Sequence, residues 1–290
     1  MDINDAFIVC VEKWAKDEFD DQINQALENF DEWTSGFEKD EKELLINLLQ
    51  KFDYYSRNNI LVMMRELNLK IVKDYEISNE DSIISVVRKE DGKLNSSYEY
   101  WLLHRMVSGF NKGMYYDSIN DIADSYWDNI NKVVYVDDCS GTGEQFTKFI
   151  KRQKKSFGNK QIILVVIEAT EDATAYIKEE LTGLGLNIDI VAYTTKEKAL
   201  KNMVEKEKKL FYEMSQKRDI HETYVLGYKN AEALMAFYNN TPNDTLGLFW
   251  FMSEKNKPIF PRELEQRPGW KLSNDKKKKR SREQYESKCR

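Results

Sequence analysis

An alternation of strands and helices in the middle of the chain most constrains its fold. Residues 133–136, Val-Val-Tyr-Val, form a continuous run of β-formers that ends at two acids and a glycine-rich turn. A helical pattern follows over 144–154, and a second apolar run covers 161–167. Such runs are typical of strands buried on both faces, and their alternation with helices indicates right-handed crossovers. The sequence therefore predicts an α/β fold, with a mainly parallel sheet flanked by helices.

Other segments extend this pattern on both sides. A helix is predicted over 171–181, a strand over 188–193 and a charged amphipathic helix over 196–214. A helix is also predicted over 98–110. Shorter β-rich runs predict strands at 71–75, 82–88, 224–226 and 246–251.

The first 70 residues read differently, because their apolar residues recur at helical spacing and no strand pattern interrupts them. We therefore divide the chain into a helical N-terminal region (1–70), an α/β domain (71–273) and a basic tail (274–290). Acidic residues border the helical region, namely Asp17, Glu18, Asp20, Asp21 and Glu28. Apolar faces with an acidic rim predict an interaction surface for a protein partner.

Charge and composition exclude several classes of protein. The net charge is −6, but residues 276–290 carry eight Lys or Arg against two Glu, so the tail is basic and the body strongly acidic. An acidic body is a poor general binder of nucleic acid, whereas the tail has the charge to contact nucleic-acid phosphates. A solvated terminus is the alternative interpretation of the tail.

The sequence also predicts where the protein resides. No apolar run approaches the roughly 20 residues of a membrane span, and the first residues lack the basic start and apolar stretch of a signal peptide. Three scattered cysteines, Cys10, Cys139 and Cys289, have neither disulfide nor zinc spacing. We expect a cytoplasmic protein that does not contact a membrane.

The turn after the first buried strand has the residues of a phosphate-binding loop. Gly141 and Gly143 permit positive φ and close backbone approach, so successive amides can point into one concavity at the start of the next helix. Ser140 and Thr142 add hydroxyl donors. The loop is therefore expected to bind a phosphate group.

The two acids before these glycines, Asp137 and Asp138, would be repelled by that phosphate if they faced it. We expect them instead to accept hydrogen bonds from vicinal hydroxyls, or to hold a divalent cation such as Mg²⁺. A ligand with a diol at one end and a phosphate at the other is a 5-phosphoribosyl group.

The stretch 133–143 resembles the ribose-phosphate motif of type I phosphoribosyltransferases. In that motif a strand ends in two acids that bind the ribose hydroxyls, and a Thr-Gly loop binds the 5′-phosphate. The resemblance implies a catalytic acidic pair at Asp137 and Asp138, with the Thr-Gly at Thr142 and Gly143. The sequence departs from the motif at two positions.

Gly141 stands where many members have Thr, and Gln145 where many have Thr or Ser. Both departures remove a hydroxyl from the phosphate loop, which implies weaker phosphate affinity. A second resemblance lies at 239–246, 248–250 and 260–262, which is similar to the end of bacterial phosphoribosyltransferase-like proteins in conflict and antiphage gene neighbourhoods, some beside reverse transcriptases. It implies a defence effector whose helical N-terminal region is an appendage.

A pyrophosphate site is harder to find in the sequence. Phosphoribosyl transfer needs such a site, held by cations or magnesium. The best candidate is Lys112 in the turn 111–113, with Arg105 or Arg88 beside it and Arg262 as a further anion ligand, although a Lys-Gly pair also marks an ordinary turn. Two functions therefore stay open, a nucleotide-processing effector enzyme and a non-catalytic module that binds such a ligand.

Two other interpretations of the loop remain. It can be a strand-to-helix turn whose acids merely cap it, or the loop of a SAM-dependent methyltransferase, in which a second acid follows the next strand, where Glu168 stands. Cys139 lies near a helix N-terminus that could lower its thiol pKa, or it fills core space. His104 and Trp250 are expected to be structural.

Overall fold

The computed structural model describes residues 2–16, 19–88 and 95–262, so the predicted basic tail over 274–290 lies outside the described residues. The described chain opens with helices α1 (Ile3–Trp14), α2 (Asp21–Thr34) and α3 (Lys39–Lys51), followed by a short strand β1 (Asp53–Tyr55) and helix α4 (Arg57–Tyr75).

The expectations of a strand at 71–75 and of no strand before residue 70 are both wrong. One face of α4 is buried at helical spacing, through Ile60, Met64, Leu67 and Ile71. The helix therefore continues through residues 71–75, although their composition is typical of a strand. Propensity gives way here to the burial of a continuous apolar stripe.

A parallel sheet forms the centre of the molecule, which confirms the predicted fold class. Its strands are β2 (Ser82–Val86), β3 (Tyr115–Tyr116), β4 (Lys132–Val136), β5 (Cys139–Ser140), β6 (Gln161–Thr170) and β7 (Asn187–Lys196). Strands β3, β2, β4 and β6 neighbour one another in that order, and every described pairing in this sheet is parallel. Because β7 pairs with β6 along its length, β4 and β5 share the other side of β6.

Helices cover both faces of this sheet. The remaining helices are α5 (Ser96–Val107), α6 (Asp124–Trp127), α7 (Glu144–Lys151), α8 (Glu171–Thr182) and α9 (Glu205–Lys217). Alternate residues of β6 pack with α4 and α5 on one face and with α7 and α8 on the other. Both faces of the strand are therefore buried, as its unbroken apolar run predicts.

Several expectations in the last third of the chain are wrong. The helix expected over 196–214 begins only at Glu205, because β7 extends to Lys196. The apolar runs at 224–226 and 246–251 are not strands, and 3₁₀ turns occupy Glu222–Tyr224 and Gly247–Phe249. A strand that the pattern missed, β8 (Met235–Phe237), pairs in parallel with β1.

The N-terminal helices share one apolar core with the C-terminal segment. Buried residues of α1, α2 and α3 cluster with α9 and with Phe249 and Phe260. The Trp33 indole N–H donates to the Leu248 carbonyl at 3.1 Å. The boundary placed between residues 70 and 71 falls inside α4, whose buried face belongs to the core of the sheet. Among the described residues, no helix is long and apolar enough to span a bilayer.

Replacing Trp33 with Ala should test this shared core. Trp33 is fully buried and packs against Phe249, so W33A should lower the free energy of unfolding by about 3–5 kcal/mol. Urea unfolding measures the change. L27A is the matched control, because Leu27 lies on the same helix with 43% of its surface exposed, and it should cost within about 0.5 kcal/mol. Equal costs for the two variants would contradict the shared core.

Candidate functional site

A cavity of about 500 Å³ opens at the carboxyl end of β4. The loop 137–143 forms its floor, and the start of α5, the segment 242–244 and Arg262 complete its walls. Ligands of open parallel sheets bind at this end of the strands, where loops and helix N-termini converge. The structure thus brings all the predicted loop residues, and Arg262, to one cavity.

The two acids lie between β4 and β5, which both pair with β6. Val136 pairs with Val165 and Cys139 pairs with Glu168, so β4 and β5 follow β6 in one register. The Asp137 amide donates to the Val165 carbonyl at 3.0 Å, and the Ile167 amide donates to the Asp138 carbonyl at 2.9 Å. The backbone of both acids is therefore fixed by the sheet.

Asp137 is anchored inside the protein. Its Oδ1 accepts hydrogen bonds from the Ser97 hydroxyl at 2.5 Å and from the Asp138 amide at 2.9 Å. Asn95 holds that serine through a bond of 2.7 Å to its Oγ. Burial and the neighbouring Asp138 carboxylate raise the pKa of Asp137 well above its usual value. Sequence reasoning missed Ser97 and Asn95, because nothing local in the sequence links them to the loop.

Asp138 is the more accessible acid. It is half-buried and lines the cavity, and its Oδ1 accepts from the Cys139 amide at 2.8 Å. Of the acidic pair, Asp138 therefore has the better position to meet the hydroxyls of a ligand.

Gly143 begins α7 in a conformation that favours glycine. Its φ is +75°, and a Cβ there would lie 2.8 Å from the Ala173 carbonyl oxygen. This geometry turns the chain sharply into α7, where the free amides of a first helical turn favour anions. The Thr142 hydroxyl also lies in this turn, where its Oγ1 accepts from the Glu144 amide at 3.4 Å.

A third acid, Asp244, reaches the loop from the C-terminal segment. A Cβ on Gly141 would lie 2.4 Å from Asp244 Oδ2. Burial and the Asp138 carboxylate raise the pKa of Asp244 to about 6, while the Gly141 amide and Arg262 act in the opposite direction. The sequence phrase 239–246 contains Asp244, but only the fold places it beside the loop.

Cations also line the cavity. They are Arg88, Lys148, Arg152 and Arg262. Arg262 donates to the Thr241 carbonyl at 2.7 Å and lies 6.0 Å from the Trp250 ring centre. Lys148 pairs with Glu144 at 2.6 Å. The cavity thus combines an acidic floor with a partly cationic wall.

The structure places the other predicted anion ligands elsewhere. Lys112 is exposed in the 3₁₀ turn Lys112–Met114, and Arg105 lies 5.8 Å from the Tyr115 ring centre. Neither side chain lines the cavity among the described residues. Their role as pyrophosphate ligands stays a prediction. Arg88, the other candidate named with them, does line the cavity, together with Lys148, Arg152 and Arg262.

Three other residues that the sequence singles out are Cys139, His104 and Trp250. Burial and the Asp138 carboxylate raise the thiol pKa of Cys139, so, of its two interpretations, the one with a lowered pKa is wrong. Burial lowers the pKa of His104 to about 4, and its Nδ1 lies 2.9 Å from the Tyr115 hydroxyl. Trp250 is buried and donates to the Thr245 carbonyl at 2.6 Å. His104 and Trp250 are core residues, as expected.

Glu168 faces away from this cavity. Tyr55 of β1 donates a hydrogen bond of 2.5 Å to Glu168 Oε2, and Lys196 Nζ lies 3.8 Å from the same oxygen. Glu168 lines a separate cavity, with Asp53 and Lys196. The methyltransferase interpretation needs the carboxylate of this acid in the same cavity as the loop, and the geometry does not provide it.

Asp137 and Asp138 satisfy part of the requirement for Mg²⁺. Both are carboxylates, and the repulsion between Asp138 and Asp244 would be relieved by a cation. Asp137 Oδ1 already accepts two hydrogen bonds. Within the described residues no group of three or more His, Cys, Asp or Glu is arranged to hold a metal. The chain itself thus offers a partial site, which a ligand's phosphate oxygens and water would have to complete.

The Glu168 carboxyl should make stability depend on pH. Burial raises its pKa to about 7 from a usual 4.5. Between these values the folded protein keeps a proton that the unfolded chain has lost, so the free energy of unfolding should fall as pH rises. E168Q should remove this slope, with a gain over the parent protein of up to roughly 3 kcal/mol at about pH 8.

Urea unfolding at about pH 5 and about pH 8 tests this expectation. E205Q is the control, since the Glu205 side chain is 91% exposed. If E168Q keeps the same pH slope as the parent protein, Glu168 does not carry the proton.

Comparison with known proteins places the chain in a family. No curated protein sequence matches it. Among solved structures it is similar to the xanthine-guanine-hypoxanthine phosphoribosyltransferase of Helicobacter pylori, at 10% identity and a TM-score of 0.32, over 50% of this chain and 90% of that chain. The model of the PRTase-CE family matches residues 30–262. That match covers most of the chain, including the whole cavity, and the protein belongs to the PRTase-CE family.

Proposed function

We propose that the chain is a phosphoribosyltransferase-like effector that binds a 5-phosphoribosyl or nucleotide ligand at the loop 137–143. One observation carries the proposal: the Asp138 carboxylate and the phosphate loop line the same cavity. Carboxylates accept hydrogen bonds from a diol, and backbone amides at a helix start donate to a phosphate. A ribose 5-phosphate presents both groups at once.

The anchoring of Asp137 supports the same ligand. With its Oδ1 engaged by Ser97 and the Asp138 amide, Asp137 braces the loop, and Asp138 is left to contact the ribose hydroxyls. Mg²⁺ would be held between these carboxylates and the phosphate oxygens of the ligand, where it would neutralise the charge of a pyrophosphate. Arg88 and Arg262 would supply cationic contacts at the wall.

Two versions of this function differ in turnover. An effector enzyme would transfer the phosphoribosyl group of phosphoribosyl pyrophosphate to an acceptor, with pyrophosphate as the leaving group, whereas a non-catalytic module would bind the same compound unchanged. Incubation of the protein with phosphoribosyl pyrophosphate and Mg²⁺, with water as the acceptor and with added nucleobases, followed by a pyrophosphate assay, separates the two. Arg88 and Arg152 support the enzyme, because they bring positive charge to the cavity, and such charge stabilises a leaving pyrophosphate.

The wider setting that we propose is bacterial antiphage defence, in the cytoplasm. The N-terminal helices would bind a protein partner, and the basic tail would contact nucleic acid. Support for a partner comes from exposed apolar residues on these helices, Ile8, Val9 and Leu27.

Ligand binding should be visible as thermal stabilisation. Ribose 5-phosphate or phosphoribosyl pyrophosphate with Mg²⁺ should raise the melting temperature. At a ligand concentration of 100 times Kd, binding should add about 2.7 kcal/mol to the free energy of unfolding. D138N should abolish the shift, because it removes the acceptor charge from the cavity. D128N is the control, since Asp128 is exposed at the end of α6. A shift of equal size in D138N and the parent protein would refute the assigned site.

Defence activity should depend on the same residue. In cells that express the chain from its own locus, D138N should lose protection against phage, measured as efficiency of plating, while D128N should retain it. Protection that survives in D138N would separate the biological activity from the loop.

A further inference from the structure

We propose that the Asp244 carboxylate is an internal competitor for the phosphate loop, and that it lowers the affinity of the loop for a phosphate dianion. This inference rests on the proposed function only in taking 137–143 as the phosphate-binding loop. It assigns to Asp244 a role in ligand selection that the loop sequence does not contain.

The carboxylate lies against Gly141, whose amide is one of the donors that we expect to bind a phosphate. The Gly141 amide favours the charged form of Asp244, so one donor of the loop already interacts with an anion. Asp244 also stacks against Gly141 so closely that a Cβ there would meet three of its side-chain atoms, at 2.4 to 2.7 Å. A phosphate seated on the same amide would meet this carboxylate at contact distance, and like charges at contact repel strongly.

The backbone of Asp244 is fixed, so this position is built into the fold. Its carbonyl accepts from the Ala233 amide at 3.1 Å, and the carbonyl of Asn243 accepts from the Tyr228 amide at 2.7 Å. The carbonyl of Asp244 also packs on Gly227, where a Cβ would lie 2.0 Å from it. These backbone contacts therefore hold Asp244 beside the loop, and a ligand could displace the Asp244 side chain but not its backbone.

Buried carboxylates normally gain from a cation or from several donors, and Asp244 faces an unfavourable partner in Asp138. Arg262 offsets part of this repulsion. Holding the Asp244 carboxylate close to the Asp138 carboxylate costs folding stability. Unfavourable local arrangements of this kind are typical of functional sites. The consequence for binding is that a phosphate must displace Asp244 or arrive with its charge partly neutralised.

The test uses inorganic phosphate as the probe, with the full chain and isothermal titration calorimetry. D244N keeps the shape of the side chain and removes its charge, and D244A also frees the Gly141 amide. Both variants should bind phosphate at least about tenfold more tightly than the parent protein, which corresponds to about 1.4 kcal/mol. D128N controls for the change in net charge and should leave phosphate affinity unchanged. Thermal unfolding verifies that each variant is folded.

The outcomes separate this inference from the proposed function. Phosphate affinity in D244N and D244A that is equal to or weaker than that of the parent protein overturns the competitor role, and so does a lack of measurable binding in both variants. Weaker binding would show that Asp244 instead helps to hold the ligand. If both variants gain phosphate affinity but ribose 5-phosphate binds no better than phosphate, the competitor role stands and the phosphoribosyl assignment fails.

Discussion

The single register that carries residues 132–140 along β6 is the constraint on which the site depends. It pairs Val136 with Val165 and Cys139 with Glu168, and it fixes the backbone of two adjacent acids between these pairs. The Asp137 side chain is thereby held by Ser97, and the Asp138 side chain is left more accessible in the same cavity. Asp137 is buried and Asp138 is half-buried, so two identical neighbouring side chains have different surroundings.

Sequence reasoning predicted the parts of this arrangement that are local. The strand at 132–136, the glycine-rich turn and helix α7 follow one another along the chain, and each has its own pattern. The acids and the glycines were therefore named from the sequence, and the structure places them with Arg262 at one cavity, while their role in binding stays a prediction. Ser97 and Asp244 were not named as site residues, because their positions depend on contacts made across the fold, and no local period or spacing records them.

The errors in secondary structure have a related cause. Short apolar runs at 224–226 and 246–251 have the composition of strands, yet they are buried by packing against the N-terminal helices and do not join a ladder. A buried segment that is not a strand can have the same apolar composition as a central strand. By contrast, β8 is only three residues long, and its pairing partner β1 lies in the region that reads as helical. Neither half of that pair carries enough pattern to be predicted.

The pairing of β1 with β8 also bears on how the molecule reaches its final form. Asp53 lies opposite Met235, so this two-stranded sheet joins segments that are 182 positions apart in the sequence. Contacts between such distant segments require a large loop to close, and the entropy of closure delays them relative to local helices and neighbouring strands. Because β8 leads into the segment that carries Asp244, we expect the cavity to be completed after β1 and β8 have paired. A central sheet that forms before this pairing would already contain the loop and both of its acids, but without the third acid beside them.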